Sequence, residues 1–347
     1  MSGGVDSSVA AYLTKEKGYD CIGITMKLFE NEDACQLPEK ACCSADDVED
    51  ARKVASELGI PYYVFNFTDD FREKVIKKFA LSYENGMTPN PCIDCNRYLK
   101  FERLYRRGME LGCDCVVTGH YARIEERDGR FLLKKAADPD KDQGYVLYSL
   151  TQDQLAHVMF PLGEMTKPRT RALAESMGFR NAQKKESQDI CFVPDGDYAG
   201  VIQNFTGRTY PEGNFVDTEG NVLGRHRGII RYTIGQRKGL GLALKQPMYV
   251  CRKDLARNEV VLCTGEELFT RKFEVKDFNW IAYDEPPEEL HASVKIRYRQ
   301  KEQPAVIKPA GQDRVIIEFL EPQRAITPGQ AAVIYDGEIV VGGGTIV

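Results

Sequence analysis

No run of apolar residues approaches the roughly 18 that a bilayer-crossing helix needs. The opening segment, MSGGVDSS, carries no basic n-region and no apolar h-region, so it does not read as a secretory leader. Neither an internal repeat nor a low-complexity tract interrupts the chain, and its composition excludes a collagen, a coiled coil and a mostly disordered protein. Basic charge is not in surplus either. Lys and Arg number 47 against 52 Asp and Glu, a net charge of −5, so a nucleic-acid partner has to be argued from local patches. Cysteines number 11, an odd count without an export signal, which speaks against a secreted disulfide framework and for reduced thiols in the cytoplasm. What remains is ordinary globular material: 42% apolar and 29% charged over 347 residues. At about 150 residues per domain this is two to three domains.

The first half alternates helix and strand. Apolar spacing predicts helices over 6–17, 70–85 and 96–111, with Gly18 suited to a left-handed helix stop. Ser44 and Asp47 have the spacing of a capping box, with Val48, Ala51, Ala55 and Leu58 on one face behind it. Short apolar runs at 21–26, 62–66 and 114–118 predict strands. This alternation predicts an α/β domain built on a doubly wound parallel sheet. After about residue 190, turn signals become dense and strands such as 292–298, 315–319 and 332–335 alternate apolar and polar. The expected division is 1–195 for an α/β catalytic domain, 196–265 for a small central domain and 266–347 for a C-terminal β-barrel.

Ser2-Gly3-Gly4-Val5-Asp6-Ser7-Ser8 stands where the first helix begins. Two glycines let backbone N–H groups approach a phosphate, hydroxyls add donors, and the helix N-terminus adds positive potential. The segment resembles the SGGxDS signature of the PP-loop ATP pyrophosphatase family, whose members adenylate a carbonyl oxygen and so turn it into a leaving group. Members of that family carry a strand just before the loop, and here the chain begins at Met1. The expectation is a true start some residues upstream, with a natural N-terminus at Met1 as the alternative.

Two cysteines stand out. Cys95 follows Thr88-Pro89-Asn90-Pro91-Cys92-Ile93-Asp94, a stiff loop that leads into a helix, where a thiol is acidified. Cys191 lies in Ser187-Gln188-Asp189-Ile190-Cys191-Phe192. The residues alone leave three readings open. Cys95 and Cys191 can do persulfide chemistry. Cys92, Cys95 and Cys191 can hold three irons of a 4Fe-4S cluster. The CxxC pair can also bind zinc, although no clear second pair is present. For Cys21, Cys113, Cys115, Cys251 and Cys263 simple packing is expected, and the vicinal pair Cys42-Cys43 has no assigned role.

TPNPxxxCN, TGHYAR, KDQGYVLYSL, SQDICFV, GQRKGLG, RYRQ and TPGQAAVIYDGE resemble, in order, segments of the bacterial tRNA-specific 2-thiouridylases, a family within the PP-loop superfamily. The resemblance runs from Ser2 to Gly344. It implies ATP-dependent thiolation of the wobble uridine of tRNA, with Mg²⁺ as the nucleotide's ion and Asp6 among its candidate holders. It implies that Met1, Ser2, Gly3, Gly4, Val5, Asp6, Ser7, Met26 and Gly119 bind ATP. By the same resemblance Asn90, Pro91 and Cys92 face the target base, Cys95 is the nucleophile and Cys191 carries a persulfide. It places His120, Lys141, Asp142, Gln143, Arg297, Tyr298 and Gln330 at the tRNA. It also implies a sulfur donor as partner, either a cysteine desulfurase or a sulfur-relay protein. The sequence departs from the family at Cys92, where much of the family has Asp.

From Gly220 to Lys253 there are eight Lys or Arg and no Asp or Glu, a pattern that suits phosphate contacts. Lys295, Arg297, Arg299 and Lys301 have the spacing of one strand face, with Tyr298 placed to stack on a base. His226 lies in the basic stretch within reach of phosphate, whereas His157 and His291 read as structural. Two other functions fit part of the pattern. An amidating PP-loop enzyme explains the loop but leaves both cysteine motifs idle, and an RNA-binding protein with a degenerate loop predicts tRNA binding without AMP release.

Overall fold

The computed structural model describes residues 1–29, 45–184, 190–193 and 195–347. Cys35, Cys42, Cys43 and the proposed cap Ser44 lie outside the described residues, as do Ser187, Gln188 and Asp189. The chain forms two units. The first comprises Met1–Val75, Pro91–Asp197 and Glu338–Val341, and the second Ile76–Asn90, Tyr198–Gly337 and Gly342–Val347.

In the first unit, α1 (Val5–Glu16) ends where expected, at Gly18 with a φ of +85°. It leads to β1 (Gly23–Lys27). Next comes α2 (Ala45–Glu57), which buries Ala51, Val54 and Ala55. It is followed by β2 (Tyr62–Asn66), parallel to β1 with Gly23 opposite Tyr62 and Lys27 opposite Asn66. β3 (Val116–Val117) pairs in parallel with β6 (Val158–Met159). The expected parallel sheet is thus present as two parallel pairs, with no ladder between them among the described residues. The opening segment of the chain touches both pairs. On one side the Met1 amino group bonds the Ile24 carbonyl and Thr25 Oγ1 donates to the Met1 carbonyl at 2.6 Å. On the other, Gly119 backs onto Asp6 and Ser7. A further antiparallel hairpin is made by β4 (Arg123–Arg127) and β5 (Arg130–Lys134). Helix α3 (Lys167–Ser176) packs against α1. Around α1 the core comprises Val5, Val9, Val54, Leu162, Ala174 and Phe179.

The second unit holds a four-stranded sheet and a barrel. The sheet has the order β8 (Val222–His226), β7 (Gly213–Val216), β10 (Glu259–Cys263), β9 (Tyr249–Asp254), with β7 and β10 parallel. The barrel runs β11 (Phe269–Trp280), β14 (Val315–Arg324), β13 (Gln303–Pro309), β12 (Leu290–Lys295), β15 (Ala331–Asp336), β16 (Ile339–Ile346), and β11 closes it by pairing with β16. Closure removes the open edges that would otherwise invite aggregation. Val294, Ile307, Ile317, Phe319, Val333 and Tyr335 fill it, each fully buried.

One expectation fails here. β12 ends at Lys295, and 296–300 is turn and bend. Lys295, Arg297, Arg299 and Lys301 therefore do not share a strand face. Arg297 turns back on its own unit, donating to the Ala325 carbonyl at 2.8 Å and to Thr327 Oγ1 at 3.2 Å.

Candidate active site

The glycines of the opening loop are required by geometry. Gly3 has a φ of +69°, and a Cβ on it would stand 2.3 Å from the Asp47 carbonyl oxygen. A Cβ on Gly119 would stand 2.7 Å from the Asp6 backbone carbon. Only glycine permits both approaches. Ser2 and Ser7 gather their hydroxyls 3.2 Å apart, and the Ser2 N–H donates to Ser7 Oγ at 3.1 Å. Ser8 faces the interior, fully buried, and donates to the Gly4 carbonyl at 3.1 Å. The loop therefore has a hydroxyl-bearing side and a buried side, with the N-terminus of the 12-residue α1 behind it.

Asp6 does not stand ready for a magnesium ion. Lys167 Nζ lies 2.7 and 2.8 Å from its two carboxylate oxygens, and the Tyr121 hydroxyl donates to one of them at 2.9 Å. Its carboxylate is neutralised rather than presented. Lys167 is itself buried. Met26 lies in β1 opposite Phe65.

The segment 91–110 is one helical run: Pro91–Asp94 as α-helix, Cys95–Leu104 in a wider π winding, and Tyr105–Glu110 as α-helix again. The helix thus begins at Pro91, whose fixed φ suits a first helical position. Cys92 is in the first turn and Cys95 in the second, so the helix-terminus argument made for Cys95 belongs to Cys92. Cys92 is exposed and Cys95 half-buried. Cys95 is held between buried neighbours, Asp94 and Asn96, and Asn96 Nδ2 donates to the Val146 carbonyl at 3.0 Å. Cys191 is half-buried in a turn closed by the Val193 N–H to the Ile190 carbonyl. Phe192, next to it, packs edge-on against Phe71 at 5.7 Å. No three His, Cys, Asp or Glu side chains converge as a metal-holding group among the described residues. Cys92, Cys95 and Cys191 do not form such a group among the described residues.

Several residues expected at the tRNA serve the fold. His120 is buried, with Nδ1 2.8 Å from Thr118 Oγ1 and its ring beside Phe101 and Phe160. Burial, aided by Lys100, holds its pKa well below the usual histidine value. Gln143 closes a two-way link with the Tyr121 backbone, and Asp142 accepts the Ala136 N–H at 3.0 Å beside half-buried Lys141. His226 is buried too, accepting the Gly228 N–H at 3.1 Å and lying 3.1 Å from the Asn258 carbonyl, so it does not reach for phosphate. Tyr298, in contrast, is exposed. Within the second unit Gln330 Nε2 donates to the Thr88 carbonyl at 2.7 Å, bracing the approach to Asn90.

Residues 1–195 match the tRNA methyl transferase HUP domain, 200–264 the tRNA methyl transferase PRC-barrel domain, and 270–346 the aminomethyltransferase beta-barrel domain. The tRNA-specific 2-thiouridylase MnmA of Clostridioides difficile is 52% identical over all of this chain and 96% of its own length. Those of Lachnoclostridium phytofermentans and Clostridium acetobutylicum are each 50% identical over all of this chain and 98% of their own. This chain belongs to the tRNA-specific 2-thiouridylase family. Among solved structures, the U34-tRNA thiolase NcsA from Methanococcus maripaludis with its 4Fe-4S cluster aligns loosely, with a TM-score of 0.35 and 17% identity over 60% of this chain and 69% of that one.

For this thiouridylase-family chain the sequence reading missed Tyr121, Lys167, Asn181 and Lys184, all of which touch the loop or its ion pairs. One signal for Lys167 was available. A cation in the first turn of a helix opposes the macrodipole, so its presence at the start of α3 asks for a local anion, which Asp6 supplies.

Proposed function

We propose that the chain catalyses ATP-dependent 2-thiolation of the wobble uridine of tRNA, as a tRNA-uridine sulfurtransferase. The observation that carries this reading is half-identity over the full chain to 2-thiouridylases, with the glycine loop and both cysteine motifs in place. In the proposed reaction the uracil O2 attacks the α-phosphate of ATP bound at Met1–Ser7, and pyrophosphate leaves. The nucleotide enters as its magnesium complex. With Asp6 committed to Lys167, no side chain of the loop is assigned to that ion. The terminal sulfur of a Cys191 persulfide then attacks carbon 2, and AMP leaves with the former O2. Cys95 thiolate attacks the Cys191 sulfur, breaking its bond to the transferred sulfur. Thiouridine is released and a Cys95–Cys191 disulfide remains for an external thiol to reduce.

Gly119 and Met26 are proposed to flank the adenosine at strand ends, where α/β sheets bind ligands. Asn90, Pro91 and Cys92 are proposed to face the base. The basic stretch and Tyr298 are proposed to hold the RNA. A cysteine desulfurase or sulfur-relay protein is the proposed donor. The proposed domains are 1–195, 196–265 and 266–347, in a cytoplasmic enzyme; no helix among the described residues is long and apolar enough to cross a membrane.

The test is an anaerobic assay with ATP, Mg²⁺, a sulfur donor and unmodified tRNA, read as 2-thiouridine by nucleoside mass spectrometry. Product from the wild type and from Cys92→Ser, but not from Cys95→Ser or Cys191→Ser, supports the persulfide route. Loss in Cys92→Ser as well moves the sulfur to a three-cysteine cluster. No product from the wild type, with tRNA still bound, defeats the enzymatic reading.

A further inference from the structure

The loop that reads as the ATP site has a conformational liability. Its two consecutive glycines, Gly3 and Gly4, leave the peptide group between them free to rotate, because neither residue has a Cβ to oppose it. In a trans peptide the carbonyl of Gly3 and the N–H of Gly4 point in opposite directions. One orientation offers an N–H to the nucleotide; the flipped one offers a carbonyl oxygen that repels phosphate. Something has to choose between them.

Asn181 and Lys184 contact the carbonyl. Asn181 Nδ2 donates to the Gly3 oxygen at 3.0 Å and to Ser8 Oγ at 2.9 Å, so one amide group grips both the loop and the first turn of α1. Lys184 Nζ lies 3.4 Å from the same Gly3 oxygen. Asn181 is 3% exposed, and its Oδ1 is buried with no hydrogen-bond partner among the described residues. Its orientation is therefore set by the two contacts of its NH₂ group and not by a balanced pairing of the whole amide. Lys184 is held in turn by Asp47 and Asp50 of α2, each at 2.7 Å. Burial works against its charge, but those two carboxylates outweigh it and raise its pKa above the ordinary lysine value. The cation is a fixed one.

We propose that Asn181 and Lys184 are positioning residues for the nucleotide. They hold the Gly3 carbonyl on the buried side of the loop, so that the Gly4 N–H is presented on the opposite side to a phosphate oxygen. Asp47 and Asp50 act one step back, by fixing the lysine. The inference rests on the loop being the ATP site. It does not require either residue to touch ATP.

The test is calorimetric binding of α,β-methylene-ATP with magnesium to the full chain, beside tRNA binding by filter retention and the nucleotide-free melting temperature. Asn181→Asp keeps the shape but sets an oxygen against the Gly3 carbonyl, and Lys184→Met removes the cation. Each is expected to weaken nucleotide binding at least tenfold while tRNA affinity stays within twofold. Lys184→Arg is expected to stay within threefold of the wild type. In turnover the loss is expected in KM for ATP with kcat largely retained at saturation. If Asn181→Asp does not fold, Lys184→Met carries the test. Variants that bind the nucleotide as the wild type does overturn the inference alone. A wild type that binds no nucleotide overturns the loop reading and the inference with it.

Discussion

Lys167 and Asp6 meet across 161 positions of sequence, with the ammonium 2.7 and 2.8 Å from the two carboxylate oxygens. The lysine side chain is 9% exposed and the aspartate 32%. Asp6 stands in the first turn of α1, where a carboxylate suits the helix but repels an incoming polyphosphate. Lys167 cancels that repulsion. Lys167→Met leaves a partly buried carboxylate alone, so it is expected to cost about 3 kcal/mol of stability. With the loop as the proposed nucleotide site, activity should fall about 100-fold, because the uncompensated Asp6 carboxylate would oppose phosphate charge beside it. Urea unfolding and AMP release measure the two effects separately. AMP release at the wild-type rate would remove Lys167 from any part in nucleotide use.

Phe192 anchors the residue next to Cys191. It is 3% exposed and packs edge-on against Phe71, which also meets Phe29 at 5.2 Å. Phe192→Ala is expected to destabilise by about 3–5 kcal/mol. Alkylation of Cys191 by iodoacetamide, followed by peptide mass spectrometry, should quicken severalfold as its turn loosens. Phe192→Leu should lie between the two. An unchanged alkylation rate would mean that the packing does not restrain the thiol.

The α/β half and the loop were legible because their signals are local. Helix stops and apolar runs act within a few positions, and Tyr62–Asn66 was placed to the residue. The ends of 292–298 were not. Arg297 leaves the ladder to bond the Ala325 carbonyl 28 positions away, a choice that alternation cannot reveal. Asn181 and Lys184 were invisible for the same reason, since their partners lie 178 and 137 positions off, and Lys167, 161 positions from Asp6, left only its mismatch with the helix dipole as a signal. The basic stretch shows the converse error. Composition counted Lys253 and His226 as surface, and the fold buries His226 and half-buries Lys253 against Tyr232.

His120 makes stability depend on pH in a definite direction. Burial, with Lys100 adding, keeps the folded imidazole neutral below 6.5, the value at which a free histidine takes up its proton. Between 6.5 and the lower folded value the unfolded chain binds more protons. Stability is therefore fully present above that window and falls as pH falls through it. The urea midpoint of the wild type should drop between about pH 7.5 and about pH 5.5 by more than that of His120→Gln. Equal drops would show that another group titrates there.

Lys253 separates a charged stretch from a charged surface. Its ammonium donates to the Tyr232 carbonyl at 2.9 Å and lies 5.8 Å from the Tyr83 ring centre, and burial lowers its pKa to about 8. A half-buried ammonium already engaged by a carbonyl and a ring is poorly placed to neutralise a phosphate. Arg237 and Lys238, in the same carboxylate-free stretch, are exposed. Replacing either with alanine is expected to reduce the slope of log K against log salt for tRNA by about 1. Lys253→Met should leave that slope unchanged and alter stability instead. From about 8 up to the ordinary lysine value of 10.5 the unfolded chain holds the extra proton, so wild-type stability gains as pH rises through that interval. Lys253→Met should lack the gain, because it has no proton to shed. If the slope fell with Lys253→Met as it does with Arg237→Ala, the lysine would be meeting phosphate in the bound state, and the tyrosine pocket that encloses it would have to open when tRNA arrives.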